Sequence, residues 1–260
     1  MTHLLTILFL LLAYCASGAG LGPYNPAQHS VNGFMPTQVP DLQLWLDASK
    51  LSWMTNGQSV EVWRDWSGKS NAATNGTGSK QPTISSINGR ASLSFDGVDD
   101  WLAISSFKCQ TYLTMFAVVK MQSATQKQMF FELGTTFTDP GFLFYGSDNA
   151  PWSITRSGAT HSCAGIANWN SNTFIVASMS YNGIGEYKRN AQSLNNGGLS
   201  GTARANSIVT NTLNIFSRNS ASLFANGYLS EVLLFTNKLE ASYERQVERY
   251  LGTKYGIVVK

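Results

Sequence analysis

Three aspartates lie close together in the stretch 94–102, at positions 96, 99 and 100. Calcium binds clustered carboxylate oxygens, so Asp96, Asp99 and Asp100 are candidate ligands for that ion. Turn chemistry explains the same residues without a metal, because Asp96 can bond its own turn and Gly97 accepts a positive φ. The spacing matches no regular ligand motif. We therefore expect a polar turn between two strands and no required cofactor, with calcium as the alternative.

The acidic residues do not form an obvious catalytic pair. Glu61 and Asp65 share a strand face, but Asp65 belongs to a turn motif, and simple alternation places Glu132 on a solvent-facing side of its strand. Three glutamates along one side of a predicted helix are typical of a solvated face: Glu240, Glu244 and Glu248. We expect no catalytic residues among them, since glycosidases need two carboxylates facing one cleft.

The sequence also lacks the residue patterns that nucleophilic catalysis and cofactor binding require. His161 stands two residues before Cys163, whereas catalytic partners are usually remote in sequence. The chain contains no zinc-ligand spacing, phosphate-binding loop or dinucleotide fingerprint. The sequence therefore favours a protein that is not an enzyme.

Aromatic residues beside amides are the candidates for ligand binding. Sugar rings stack on tryptophan and tyrosine while amides reach their hydroxyls. Trp152 follows an Asn-Ala-Pro segment and is expected at a loop. The full candidate set is Trp152, Trp169, Tyr145, Asn168 and Asn170. The alternative is that these loop tryptophans fold back as lids over the core, where Trp45, Trp63 and Trp101 are expected.

The amino-acid composition limits the classes of binding partner. Charged residues make up 13% of the chain and the net charge is +3 without a basic stripe, so nucleic acid and anionic membranes are unsuitable partners. Residues 4–16 are apolar but too short to span a bilayer comfortably, and small residues follow at 16–19. We expect a cleaved signal peptide over 1–19, a secreted protein and no membrane insertion after cleavage. The alternative is an uncleaved anchor.

Export makes two covalent modifications relevant. After signal cleavage the chain retains Cys109 and Cys163, an even pair that predicts a disulfide in an oxidising compartment; two buried thiols are the alternative. Asn75 begins the sequon Asn-Gly-Thr within the polar, glycine-rich stretch 69–81. We expect that stretch to be an exposed loop and Asn75 to be glycosylated.

The predicted elements are mostly strands. The proline-rich stretch 20–41 is expected to form an N-terminal arm, lying along the domain or reaching a neighbour, and the domain proper covers 42–260. Alternating or continuous apolar segments predict strands near 42–47, 60–63, 91–95, 101–104, 112–119, 129–133, 142–145, 152–155, 173–181, 185–188, 208–216 and 227–235. One helix is expected over 239–251, ended by Gly252 and with Asn237 as a possible cap. This pattern indicates an all-β, two-sheet antiparallel sandwich of the jelly-roll type with one short C-terminal helix.

Five ordered motifs identify a family resemblance: LWLDAS (44–49), VWRDWSG (62–68), LSFDGVDD (93–100), GYLSEVLLF (227–235) and ERYLGTKYG (248–256). From about 41 to 257, the chain resembles the concanavalin A-like lectin/glucanase superfamily in its laminin-G-like branch. The resemblance implies a β-sandwich, but this superfamily hosts lectins, adhesion modules and glycosidases. The Glu-x-Asp-x-x-Glu pattern of its glycosidases is absent here.

The sequence therefore predicts a secreted, non-catalytic recognition module that binds carbohydrate. One alternative is a structural or adhesive protein of an extracellular surface or particle. It would bind an extracellular protein, or a second copy of itself, through a sheet face or the N-terminal arm. The third alternative is a glycan-cleaving hydrolase with an unfamiliar acid pair.

Overall fold

A computed structural model of the chain describes residues 33–87, 89–122, 128–134, 142–146, 152–156, 159–163, 173–183, 185–193 and 205–260. The strands are β1 (Leu42–Asp47), β2 (Val62–Trp63), β3 (Ala73–Thr74), β4 (Thr83–Ile87), β5 (Arg90–Asp96), β6 (Leu102–Gln110), β7 (Leu113–Met121), β8 (Gln128–Leu133), β9 (Phe142–Gly146), β10 (Trp152–Arg156), β11 (Ala159–Cys163), β12 (Ile175–Tyr181), β13 (Gly185–Arg189), β14 (Gln192–Ser193), β15 (Ile208–Ile215) and β16 (Asn226–Phe235). The helix is α1 (Ala241–Tyr255).

Two antiparallel sheets form the sandwich. In the eight-stranded sheet, seven strands follow the order β14-β13-β12-β7-β16-β5-β4, and the eighth, β1, pairs with β16. The six-stranded sheet has the order β2-β3-β6-β15-β8-β9. In the larger sheet, β16 pairs along one edge first with β5 and then with β1. Strands β10 and β11 form a separate pair. The predicted two-sheet sandwich with a C-terminal helix is confirmed.

Strand β7 shows why a central strand has no polar alternation. It lies between β12 and β16, and its two faces enter two different apolar clusters. Met115 and Ala117 face the interior of the sandwich, whereas Phe116 and Val118 face a second cluster shared with α1. A strand covered on both sides has no solvent face, so its continuous apolar sequence predicted its position correctly.

Helix α1 covers the outer face of the eight-stranded sheet. Its Val247, Tyr250 and Leu251 are buried against Trp45 and Leu233 of that sheet. The described part of the N-terminal arm lies along this helix, since the Phe34 and Tyr250 ring centroids are 5.7 Å apart. Residues 33–40 therefore contact their own domain, while the rest of the arm lies outside the described residues.

The helix boundaries differ from the sequence prediction. The helix continues through Gly252 and ends at Tyr255, and its C-cap is Gly256, whose φ is +62°. Gly252 has another purpose: a Cβ there would lie 2.8 Å from the Ile257 carbonyl oxygen, so glycine lets the chain after the helix pack closely. Asn237 does not cap the helix but donates to the Asp41 carboxylate, and Glu240 occupies the N-cap position. No helix in the described parts of the chain is long and apolar enough to cross a membrane.

Candidate functional site

A groove of about 550 Å³ lies beside the segment that connects β1 to β2. We call it the tryptophan groove, because two of its walls are tryptophans with exposed rings. Trp53 is 72% exposed and Trp66 is 36% exposed. The polar and charged side chains that line it include Lys50, Gln58, Glu61 and Arg64.

The Trp53 wall is fixed by a hydrogen-bonded turn. After β1 the chain enters a 3-10 turn over Ala48–Leu51, and the Asp47 carboxylate accepts the Ser49 amide at 2.9 Å. The buried Met54 then donates its amide to the Leu51 carbonyl at 2.9 Å. Trp53 stands between these anchored residues. Its backbone is therefore held in place while its ring stays in solvent.

The Trp66 wall depends on Asp65, which the sequence assigned to a turn. The Asp65 carboxylate accepts amides from Trp45, Ser67 and Asn71 at 2.8–2.9 Å. The Trp66 amide donates to the Trp45 carbonyl at 2.8 Å. These bonds tie the turn to β1 and confirm that Asp65 has a structural role.

A lysine fixes the Trp66 ring from beneath. The Lys50 ammonium lies 4.3 Å from the Trp66 ring centroid and 4.6 Å from that of Trp45. Because Trp45 is buried, this cation–π stack links an exposed ring to the core. The groove therefore presents one ring stacked on a lysine and a second ring on an anchored backbone, next to hydrogen-bonding groups.

The ligand site predicted from the sequence lies elsewhere. Trp152 is the first residue of β10, and Tyr145 belongs to β9. The strand predicted near 152–155 is therefore present, and the expectation that Trp152 lies in a loop is wrong. Trp169, Asn168 and Asn170 lie outside the described residues. The binding role of all five stays a prediction. Trp53 was missed because it lies outside any periodic pattern, although that irregular setting, Ser-Trp-Met-Thr-Asn-Gly, was itself a sign of a surface turn.

The aspartate cluster forms the predicted turn. The Asp96 carboxylate accepts the amides of Val98 and Asp99, and Gly97 has a φ of +76°. The turn carries the chain from β5 in one sheet to β6 in the other. One carboxylate oxygen from each of Asp96, Asp99 and Asp100 lies within 4.8 Å of the others. Burial, reinforced by the two neighbouring carboxylates, raises the pKa of Asp100 to about 6. The oxygens suit a hard cation, and calcium binding stays a prediction.

The expected exposure of Asn75 is wrong. Asn75 is only 1% exposed, and its amide donates to the Lys80 and Trp101 carbonyls at 2.6 and 2.9 Å. The stretch 69–81 is not simply an open loop, because it contains β3 and a further 3-10 turn. A glycan on this amide would break bonds that hold the segment against Trp101, which is itself only partly buried. The folded structure therefore does not accommodate the predicted glycosylation.

Three acidic side chains expected in solvent are buried instead. Glu132 is 1% exposed, accepts the Asn219 amide at 2.7 Å and lies 3.7 Å from Arg218 Nε. It therefore stabilises the turn that follows β15. Glu244 and Glu248 face Lys188 of β13. Strand alternation and helical spacing could not predict that these three glutamates are buried, because other elements of the fold cover the strand face and the helix face that carry them.

The disulfide prediction is not tested. Cys109 is buried in β6, and Cys163 ends β11, where side chains are outside the described part. In the sheet order, β15 and β8 separate β6 from β9, and β10, the partner of β11, contacts β9. The pairing stays a prediction.

Two buried carboxylates meet beneath α1. Lys254 donates to Asp47 at 2.8 Å and to Glu231 at 2.6 Å, and both acids are fully buried. Glu231 also accepts hydrogen bonds from Tyr250 and Tyr255 at 2.9 Å. Burial raises the pKa of Glu231, and the negative charge of Asp47 adds to this shift. Burial lowers the pKa of Lys254, but the two carboxylates outweigh it and leave that pKa raised. The cluster binds the helix to the sheet and has no open position for a substrate.

No family profile and no curated protein sequence matches the chain. Among solved structures, a sialidase from Trypanosoma rangeli in complex with sialic acid is similar over 85% of this chain, with 14% identity and a TM-score of 0.54. The chain spans only 34% of that sialidase.

Two other similar structures are binding domains or parts of enzymes. Domain 4 of AbnA, a GH43 extracellular arabinanase from Geobacillus stearothermophilus in complex with arabinotriose, has 12% identity and a TM-score of 0.55. The match covers 81% of this chain and 98% of that domain. The receptor-binding domain of botulinum neurotoxin type G has 8% identity and a TM-score of 0.54, with 81% of this chain and 51% of that one covered. At these identities the likeness shows the fold alone. The protein is a two-sheet β-sandwich, consistent with a concanavalin A-like fold.

Proposed function

We propose that the protein is a secreted, non-catalytic glycan-binding module of the laminin-G-like branch, and that the tryptophan groove is its ligand site. The observation that carries this proposal is the exposure of Trp53 and Trp66, which both line one groove. A surface tryptophan is costly to leave in water, and stacking on sugar C–H faces is a common use of one.

The polar lining supports a sugar ligand. Gln58, Glu61 and Arg64 offer both donors and acceptors beside the rings, which matches the alternating hydroxyls and apolar faces of a sugar. Since the Trp66 ring is stacked on Lys50, little side-chain entropy is lost when a ligand covers it.

The carboxylates that line the groove support glycan binding over glycan hydrolysis. Glu61 is the one carboxylate among the groove-lining residues that the structure describes. Glycoside hydrolysis uses two carboxyl groups, about 5–5.5 Å apart in retaining enzymes and about 6.5–9.5 Å apart in inverting enzymes. The close pair Asp47 and Glu231 is buried, and both carboxylates are bonded to Lys254. The arabinotriose complex of the similar AbnA domain is a further reason to test glycans.

The decisive test compares Trp53→Ala with the unchanged protein on a glycan array, followed by titration of the strongest hit. Loss of one stacking ring should weaken binding by about 1–3 kcal/mol. Trp53 is 72% exposed, so the melting temperature should stay nearly unchanged. Trp152→Ala is the matched control, since it removes the same side chain at the site predicted from sequence.

The outcomes separate the candidate sites and functions. If Trp152→Ala abolishes binding and Trp53→Ala does not, the groove is not the ligand site. If no glycan binds and Trp53→Ala disrupts a complex with an extracellular protein, the adhesive alternative replaces the glycan proposal.

A further inference from the structure

A second pocket, of about 390 Å³, lies where α1 ends. We call it the basic pocket. Its lining includes Arg90, Lys120 and Arg189, together with Phe174, Asn190 and Gly256. It differs from the tryptophan groove in composition, because no acidic residue is among its lining residues in the described part of the chain.

Strand register places Arg90 on the outer face of the eight-stranded sheet. In β5, Ala91, Leu93 and Phe95 pack against the sandwich interior, so the alternate residues face the side covered by α1. The Ser92 and Ser230 hydroxyls, 2.7 Å apart, meet on that side. The Arg90 guanidinium reaches the helix end, where a Cβ on Gly256 would lie 2.5 Å from Nη2.

Lys120 reaches the same face from β7. It follows the interior residue Val119 and is the register partner of Tyr228 on β16, the strand that lies between β7 and β5. Its ammonium lies 5.6 Å from the Tyr228 ring centroid. The two cations therefore stand on either side of β16, next to the end of the helix.

These cations lack the acidic partners that similar side chains have elsewhere. Partly buried Lys188, Lys254 and Arg218 each lie within 4.0 Å of a buried carboxylate. Among the described residues, no carboxylate forms such a pair with Arg90 or Lys120. Partly buried cations without acids favour an anionic ligand.

Two carbonyl groups at the end of the helix already have partners. The Gly252 and Thr253 carbonyls accept hydrogen bonds from the backbone amides of Gly256 and Ile257. These carbonyls are therefore satisfied within the cap, without a guanidinium or an ammonium.

We propose that the basic pocket binds a compact oxyanion, namely the sulfate or carboxylate group of an acidic sugar. The planar guanidinium of Arg90 matches two oxygens of such a group, and the Lys120 ammonium supplies a point charge. The site extends the proposed glycan-binding function but is separate from the tryptophan groove, so each can be tested without the other.

The first experiment follows the melting temperature of the full chain in sodium sulfate and in sodium chloride at equal ionic strength. Specific sulfate binding gives a saturable rise in sulfate alone. Lys120→Gln should weaken the fitted affinity about fivefold, the loss expected for one partly exposed ion pair. Lys108→Gln, which removes the same charge from an exposed position on β6, should leave it unchanged.

Arg90→Gln should act in the same direction as Lys120→Gln, but it also removes a contact with the helix. Its melting temperature in chloride measures that structural cost separately. Calorimetric titrations with glucuronic acid, glucosamine 6-sulfate and glucose then distinguish carboxylate from sulfate, with glucose as the neutral reference.

The proposal is overturned if sulfate gives no saturable rise beyond chloride, or if Lys108→Gln weakens binding as much as Lys120→Gln. Trp53→Ala should not change the sulfate response. If Trp53→Ala abolishes glycan binding while sulfate still binds, both sites stand. If array binding fails but sulfate binding survives, only the proposed function fails.

Discussion

Replacing Lys254 with methionine tests how the helix is held to the sheet. The ammonium is the one cation within hydrogen-bonding distance of both Asp47 and Glu231 in the described structure. Removing one partner of a buried ion pair costs about 3–5 kcal/mol, because the remaining charge is left in a medium of low polarity. Here two fully buried carboxylates lose their partner, so Lys254→Met should lower the free energy of unfolding by at least about 3 kcal/mol. For a domain of this size that corresponds to a fall in melting temperature of roughly 6 °C or more.

The pH dependence identifies the cause. Without the lysine, the folded-state pKa of Asp47 should rise above its unfolded value of 3.8, and that of Glu231, which already lies above 4.5, should rise further. A carboxyl group whose pKa is raised by folding loses stability as the pH rises from the unfolded value through the folded one. The cost of Lys254→Met should therefore be full near pH 8 and much smaller near pH 4.

Chemical denaturation at pH 4 and pH 8 measures both effects. Adding Glu231→Gln to Lys254→Met removes one of the buried charges and should restore part of the stability at pH 8. Lys108→Met, at an exposed position, is the control and should change stability by no more than about 0.5 kcal/mol. A cost below about 1 kcal/mol for Lys254→Met at pH 8, or the same cost at both pH values, would refute the electrostatic account.

Two further changes test the turn and the second acidic cluster. Gly97→Val should cost at least about 2 kcal/mol by denaturation, because its φ is +76° and a Cβ would lie 2.6 Å from Asn226 Cβ. Asp99→Asn should cost much less; if it instead abolishes a calcium-dependent rise in melting temperature, the metal interpretation is correct. Burial raises the pKa of Glu248 from 4.5 to about 7, so the native protein loses stability as the pH rises through that interval. Glu248→Gln should therefore be more stable than the native protein by about 1–2 kcal/mol at pH 8 and no more stable at pH 4; equal differences at both pH values would contradict this.

Local patterns determined much of the fold. The continuous apolar sequence of β7 predicted a strand covered on both faces, because any solvent face would need polar residues. The Asn182-Gly183 turn predicted the hairpin of β12 and β13, in which Tyr181 and Gly185 are paired. Asp96 and Gly97 predicted the turn that joins the sheets. Each of these features depends on residues adjacent in the chain, so sequence alone was sufficient.

The candidate sites depended on contacts between distant segments. Lys254 lies 207 positions from Asp47 and 23 from Glu231, and no local period links an acid in the first strand to a lysine in the last helix. The burial of Asn75 has the same origin, since one of its hydrogen-bond partners is the Trp101 carbonyl, 26 positions away.

The tryptophan groove and the basic pocket could not be predicted from the sequence, for a related reason. Periodicity predicts which face of an element is apolar, but not which neighbouring element covers it. Trp53 is largely exposed in the described structure, whereas Trp63, ten residues later, is completely buried. The sequence determined the strands, the turns and the sandwich. Only the packing of one element on another decided which tryptophans, acids and lysines meet solvent, and therefore where a ligand can bind.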